Sequence, residues 1–124
     1  MKIVETTTGV RPQGPYSQGI VANGFVFVSG TVGIDPKTGN MVAGGLNEQA
    51  KQTMENIKAI LEAAGSGLNK VVKASVFIKD ASFFKDMNAI YSAALGGHKP
   101  TRTTVVTGFA RDDVLIEIDV IATQ

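Results

Sequence analysis

The chain contains no cysteine, which removes disulfides, thiol nucleophiles and zinc–thiolate sites from consideration. It contains one histidine, His98, too few for a histidine-rich metal site, and it leaves a Ser-His-Asp relay with only one candidate base. No apolar run approaches the roughly 18 residues needed to cross a bilayer. The opening residues, Met1-Lys2-Ile3-Val4-Glu5, lack the apolar core of a secretory leader. An excess of charge of one sign is missing as well. Twelve Lys and Arg against eleven Asp and Glu leave a formal net charge of +1, and the lysines are scattered among acids, so there is no footprint for a nucleic acid or a membrane surface. The expectation is a cytoplasmic protein whose chemistry uses oxygen and nitrogen groups, backbone amides and water.

What remains is ordinary for a globular chain. With 124 residues, 44% of them apolar and 19% charged, it can form one domain over residues 1–124 with a core of its own. Residues 6–18 form an opening loop broken by Gly9, Pro12, Gly14 and Pro15. Within it, Gly14-Pro15-Tyr16-Ser17-Gln18 sets a phenol hydroxyl just after a rigid turn. Tyr16 either pins this loop to the core or lines a site, and the residues alone favour the first. Ile20-Val21-Ala22 and Phe25-Val26-Phe27-Val28-Ser29 flank Asn23-Gly24, the pattern of a hairpin with a type I′ turn. The second strand is apolar on both faces, Phe25 and Phe27 on one and Val26 and Val28 on the other. A cover is therefore expected on both, by barrel closure or a partner subunit. Gly30 and Gly33 suit a bulge or a close ligand approach equally well, and Asp35-Pro36-Lys37-Thr38-Gly39-Asn40 is a turn cluster.

From Asn47 the apolar period becomes helical. Leu46, Ala50, Met54, Ile57, Leu61 and Ala64 form one stripe, with Asn47 as N-cap, Gly65 as the C′ residue, and Lys51–Glu55 and Lys58–Glu62 as solvent-side pairs. Residues 71–79 alternate as a strand, with Val72, Ala74, Val76 and Ile78 facing one way and Lys73, Ser75, Phe77 and Lys79 the other. A second helix, capped by Asp80 or Ser82, carries Phe83, Phe84, Met87, Ile90, Tyr91, Ala94 and Leu95 as core residues and stops at Gly96-Gly97. Asn88 falls just off that stripe, at the surface or at the edge of a site. Residues 101–107 and 114–121 are the last strands; in the latter, Val114, Ile116, Ile118 and Val120 share one face, and Leu115, Glu117, Asp119 and Ile121 the other. This order predicts an α+β domain, a mostly antiparallel sheet with both helices on one face, and a right-handed crossover over residues 71–106.

Two charged residues stand out. Arg102, one of three arginines, opens a β-branched run just after Pro100 and offers a flat fork of donors suited to a carboxylate or phosphate. Glu117 lies inside a run that otherwise reads as buried strand, so it needs a partner, a ligand or water. Together they form either one anion-and-water site or an internal salt bridge between neighbouring strands, and the residues leave that choice open.

Several stretches resemble, in order and spacing, the RidA/YjgF family of reactive-intermediate deaminases. They are Gly14-Pro15-Tyr16-Ser17-Gln18, Ser29-Gly30 followed by Asp35-Pro36-Lys37-Thr38-Gly39, residues 52–65, 76–80 and 87–91, His98-Lys99-Pro100-Thr101-Arg102-Thr103-Thr104-Val105, and residues 116–122. The resemblance implies a chorismate-mutase-like two-layer fold assembled as a homotrimer, with clefts between subunits. It implies hydrolysis of short-lived 2-imino or enamine acids, such as 2-iminobutanoate and 2-iminopropanoate, to 2-oxo acids and ammonia, with no metal or organic cofactor. By the same resemblance, Arg102 holds the substrate carboxylate, Glu117 sits near the attacking water, and Tyr16, Ser29 and Asn88 line the cleft, with Thr104 at or beside it. The chain departs from the family pattern at Thr31, where glutamine is usual, at Thr104, where many members have cysteine, and at Gly108-Phe109-Ala110-Arg111-Asp112, in place of a Leu-Pro turn. Arg111 offers a second anion contact, though its polar loop favours a surface position. Two other functions stand beside the deaminase: an endoribonuclease or translation-inhibitor role, which the near-neutral charge disfavours, and a non-catalytic carboxylate-binding module.

Overall fold

The hairpin forms as its turn chemistry dictates. Asn23 (φ 51°) and Gly24 (φ 79°) both adopt left-handed conformations, as a type I′ turn requires, and join β2 (Gly19–Ala22) to β3 (Phe25–Thr31). The computed structural model, which describes residues 1–124, adds β1 (Lys2–Val4), α1 (Leu46–Ala63), β4 (Val71–Ile78), α2 (Phe84–Ala94), β5 (Thr101–Val106) and β6 (Ile116–Thr123). The strands form one sheet in the order β1-β2-β3-β6-β4-β5. Every neighbouring pair is antiparallel except β4–β5, the two strands joined through α2. This is the expected α+β fold with one strand more: three residues of β1 are too few to display an alternation. No helix is long and apolar enough to cross a membrane.

One face of the sheet carries Val26, Val28, Ala74, Val76, Ile78, Ile116, Ile118, Val120 and Ala122, all buried. The helices cover it: Leu46, Ala50, Met54, Ile57, Ile60 and Leu61 from α1 and Met87 and Tyr91 from α2 join the same core. Each such side chain contributes about 1.5–3 kcal/mol when fully removed from water. The helical stripe read from the sequence is therefore the packing face. Three polar residues within or beside this core tie loops to it. Asn56 donates from Nδ2 to the carbonyls of Val32 and Ile34, both at 2.9 Å. Gln49 donates to Asp113 O at 2.8 Å and accepts from Leu115 N at 2.9 Å. Gln18 holds the opening loop through Thr6 N, Thr6 O and Val10 O.

Several local expectations change. The N-cap of α1 is Gly45, without a side-chain bond, and Asn47 is exposed; Gly65 (φ 80°) does follow the helix as expected. Asp80 caps a short 3-10 turn by accepting from Ser82 N at 2.8 Å, so α2 begins only at Phe84. In β4 a register shift between Val71 and Lys73 turns Val71 inward and leaves Val72 exposed. Lys51 lies 4.0 Å from Glu48 instead of pairing with Glu55, and no Lys58–Glu62 ion pair forms. The side chains of Phe25, Phe27 and Val105 lie on the opposite face of the sheet and are exposed by 42%, 44% and 41%. The strand that is apolar on both faces is thus covered on one only within a single chain.

Candidate active site

Arg102 and Glu117 do not meet within one chain. β4 separates their strands. Arg102 pairs with Ala74, whose side chain is buried under the helices, whereas Glu117 pairs with Phe77 on the open face. The two residues therefore occupy opposite sides of the sheet. This overturns the internal salt bridge as an explanation of either charge.

The six expected site residues fall into two groups. In the first, Tyr16 and Ser29 line a cleft of about 410 Å³ together with Phe27. Ser29 Oγ donates to Ser17 O at 2.6 Å, and the Tyr16 hydroxyl accepts from Gln13 N at 2.9 Å, so Tyr16 both shapes its loop and faces the cleft. Between the Val28–Val120 and Thr31–Ile118 pairs β3 advances one position more than β6, which makes Ser29-Gly30 a bulge. That bulge brings Gly30 onto Glu117: a Cβ placed on Gly30 would lie 2.5 Å from Glu117 Oε2. The bulge reading of Gly30 holds, and its missing Cβ makes room for the Glu117 side chain, whereas the missing Cβ of Gly33 makes room for the Gln49 backbone. Glu117 forms no ion pair; burial, and secondarily the Asp119 carboxylate, hold its carboxyl above the usual carboxylate range. Thr31 is buried beside this group and donates to Ser29 O at 2.8 Å.

The second group lies between α2 and the edge strand β5. The Arg102 guanidinium sits over the rings of Tyr91 (5.0 Å) and Phe84 (5.7 Å), with Nη1 4.0 Å from Met87 Sδ. Such cation–aromatic contacts are worth about 0.5–2 kcal/mol each, yet none neutralises the charge. Asn88 Oδ1 and Thr104 Oγ1 are buried without hydrogen-bond partners. The helical period of α2 puts Phe84 and Tyr91 on its core stripe. Phe84 is instead 45% exposed, and both rings serve Arg102, a contact invisible until the register of β5 against α2 is known. Arg111 is a surface residue, forked onto Asp113 at 2.8 and 2.7 Å. No three His, Cys, Asp or Glu side chains converge in a set that could hold a metal ion.

A family model described as Endoribonuclease L-PSP matches residues 6–124. A RutC family protein of Pyrococcus horikoshii is 47% identical over 121 residues, covering 98% of this chain and 96% of its own. The 2-iminobutanoate/2-iminopropanoate deaminase of mouse is 37% identical across 99% of this chain and 91% of its own length. Among solved structures, E. coli TdcF with bound serine is similar at a TM-score of 0.93 and 36% identity, covering 100% of this chain and 99% of that one.

Proposed function

The chain belongs to the RidA/YjgF family, and from that premise we propose that it hydrolyses small 2-imino acids such as 2-iminobutanoate and 2-iminopropanoate to 2-oxo acids and ammonia. The observation that carries this reading is an arginine with no carboxylate partner, set among apolar and thioether groups beside unpartnered polar atoms. Such a guanidinium is prepared for an incoming anion. The serine bound to TdcF and the name of the mouse relative agree with a small carboxylate bearing nitrogen at C2.

Because Arg102 and Glu117 face opposite sides of one sheet, the site needs two chains. Three copies packing their open, partly apolar sheet faces together would bring the α2–β5 edge of one against the Tyr16–Ser29–Glu117 cleft of the next. This accounts for the exposed Phe25, Phe27 and Val105 and makes the homotrimer the working unit. In it, Arg102 grips the substrate carboxylate in a two-point fork and fixes the direction of the C=N carbon. Asn88 and Thr104 line its side of the cleft, Tyr16 and Ser29 the other. Water adds its oxygen to C2, the nitrogen takes up protons, the C–N bond breaks, and ammonia leaves behind a carbonyl. Glu117 accepts the proton from the attacking water and returns one to the departing nitrogen; a carboxyl that burial holds above the usual carboxylate range suits both steps.

The test is competition for 2-iminobutanoate released by a threonine dehydratase, read as loss of semicarbazide adduct. Protein that does not compete with the trap refutes the deaminase reading. Arg102→Ala should abolish competition while the protein stays folded, its thermal midpoint falling by no more than the loss of the Tyr91 and Phe84 contacts implies, because Arg102 holds no internal salt bridge. The description of the matching family model supports one other reading, RNA cleavage. It would be favoured by nuclease activity that survives rigorous purification and disappears in Arg102→Ala.

A further inference from the structure

The chain has three buried side-chain polar atoms without a hydrogen-bond partner: Asn88 Oδ1, the Tyr91 hydroxyl and Thr104 Oγ1. All belong to the two elements flanking Arg102. Their placement follows from topology. β4 and β5 are parallel and joined through α2, so α2 runs opposite to β5. Two strand positions, about 6.6 Å, correspond to about four helix positions. With Arg102 over Tyr91, Thr104 therefore falls level with the preceding turn of α2, which carries Met87 and Asn88.

Within this cluster Tyr91 is unlike its neighbours. Phe84 stands at the start of α2 and is 45% exposed, while Tyr91 is only 9% exposed and held in the body of the helix. It is therefore the ring able to hold a guanidinium in one plane. As mere filling, phenylalanine would serve better, since a buried hydroxyl with no partner costs stability. We propose that Tyr91 is a positioning residue of the carboxylate receptor, its ring fixing the plane of the Arg102 guanidinium and its hydroxyl giving a further donor to the anion that Arg102 binds. This rests on the reading of Arg102 as that receptor. Burial raises the Tyr91 pKa, against the opposing effect of Arg102, so the phenol keeps its proton at neutral pH.

The proposal is tested with the assembled wild-type, Tyr91→Phe and Tyr91→Leu proteins. Each is titrated with 2-oxobutanoate, its Arg102 Nε–H resonance is recorded, and imine hydrolysis is resolved into kcat and KM. In the wild type the Arg102 resonance should carry a ring-current shift from Tyr91 and Phe84, which Tyr91→Phe keeps in full and Tyr91→Leu reduces to the Phe84 part. Tyr91→Phe should weaken 2-oxobutanoate binding about fivefold, the size of one net hydrogen bond, with kcat little changed. Tyr91→Leu should lower kcat/KM on the order of a hundredfold through misorientation. If Tyr91→Leu keeps both the full shift and the wild-type kcat/KM, the ring is not a platform. If Tyr91→Phe binds as tightly as wild type, the hydroxyl is not a donor to the anion. Should Tyr91→Leu fail to fold, Tyr91→Met takes its place under the same criteria. Wild-type protein that binds 2-oxobutanoate without hydrolysing imines would remove the proposed activity and leave the receptor; wild-type protein that does neither would overturn both.

Discussion

Adding one methyl group at Gly30 separates catalysis from stability. A Cβ there would lie 2.5 Å from Glu117 Oε2 and 2.9 Å from its Cδ. To reach the 3.4 Å at which ordinary contact begins, the carboxylate must retreat by about 0.9 Å, and misplacing a reacting group by about 1 Å can cost on the order of a hundredfold in rate. The atoms it meets are the free end of a flexible side chain, so the fold can yield. Gly30 does not have a positive φ, so alanine brings no backbone strain there and even restricts the unfolded chain, a gain of about 0.4–1 kcal/mol where the site is compatible. Gly30→Ala should therefore cut imine hydrolysis by one to two orders of magnitude (~10–100-fold) while its thermal midpoint stays level or rises slightly. Semicarbazide competition measures the first and calorimetry the second. Gly33→Ala is the opposite control: its Cβ would sit 2.7 Å from Gln49 O and 2.8 Å from Gln49 Cα, helical backbone that cannot move aside, and should lose about 1–3 kcal/mol of stability. Full activity in Gly30→Ala would refute the idea that the position of the Glu117 carboxylate matters. Unfolding of Gly30→Ala would show that the glycine serves the sheet instead.

Three other outcomes follow from the same geometry. Asn56→Ala strips donors from the Val32 and Ile34 carbonyls and should lower the free energy of unfolding by about 2–3 kcal/mol in denaturant titrations. Glu117 has a folded-state pKa above its unfolded value, so the folded chain binds its proton more tightly; this contribution is full below the unfolded pKa and disappears as pH rises through the folded one. Glu117→Gln should therefore be at least as stable as wild type at neutral pH, lose the stability change across that window, and be inactive, whereas the wild-type rate should fall in acid at a pH higher than an ordinary glutamate would give. Phe27→Asp, on the open sheet face, should yield a folded monomer without activity when its solution mass is measured, and an active monomer would contradict a site shared between chains.

The main elements were legible because their patterns depend on local chemistry. The Asn23-Gly24 turn and the stripe from Leu46 to Ala64 follow from backbone preference and helical period, and both are present. What was not legible depends on register. A single shift in β4 exchanged Val71 for Val72 at the core, and the bulge at Ser29-Gly30 brought Gly30 onto Glu117. The same holds for the candidate site. Arg102 and Glu117 were recognisable as charges needing an explanation, but only strand order places β4 between them and sends them to opposite faces. Tyr91 was hidden differently: its spacing on α2 is that of a core residue, and it is one, buried on the same face from which it supports a cation.

The uncompensated charge of Arg102 has a thermodynamic consequence. If Arg102 is the carboxylate receptor proposed above, the folded chain binds small monoanions more strongly than the unfolded chain does. Each such anion then shifts the unfolding equilibrium by mass action, by about 2.7 kcal/mol at a hundred times its dissociation constant. The stability measured for this protein will therefore depend on the carboxylate content of the solution around it. A melting curve recorded against a panel of 2-oxo acids would rank candidate ligands without any turnover, and acetate or formate in the buffer would act as a competing ligand.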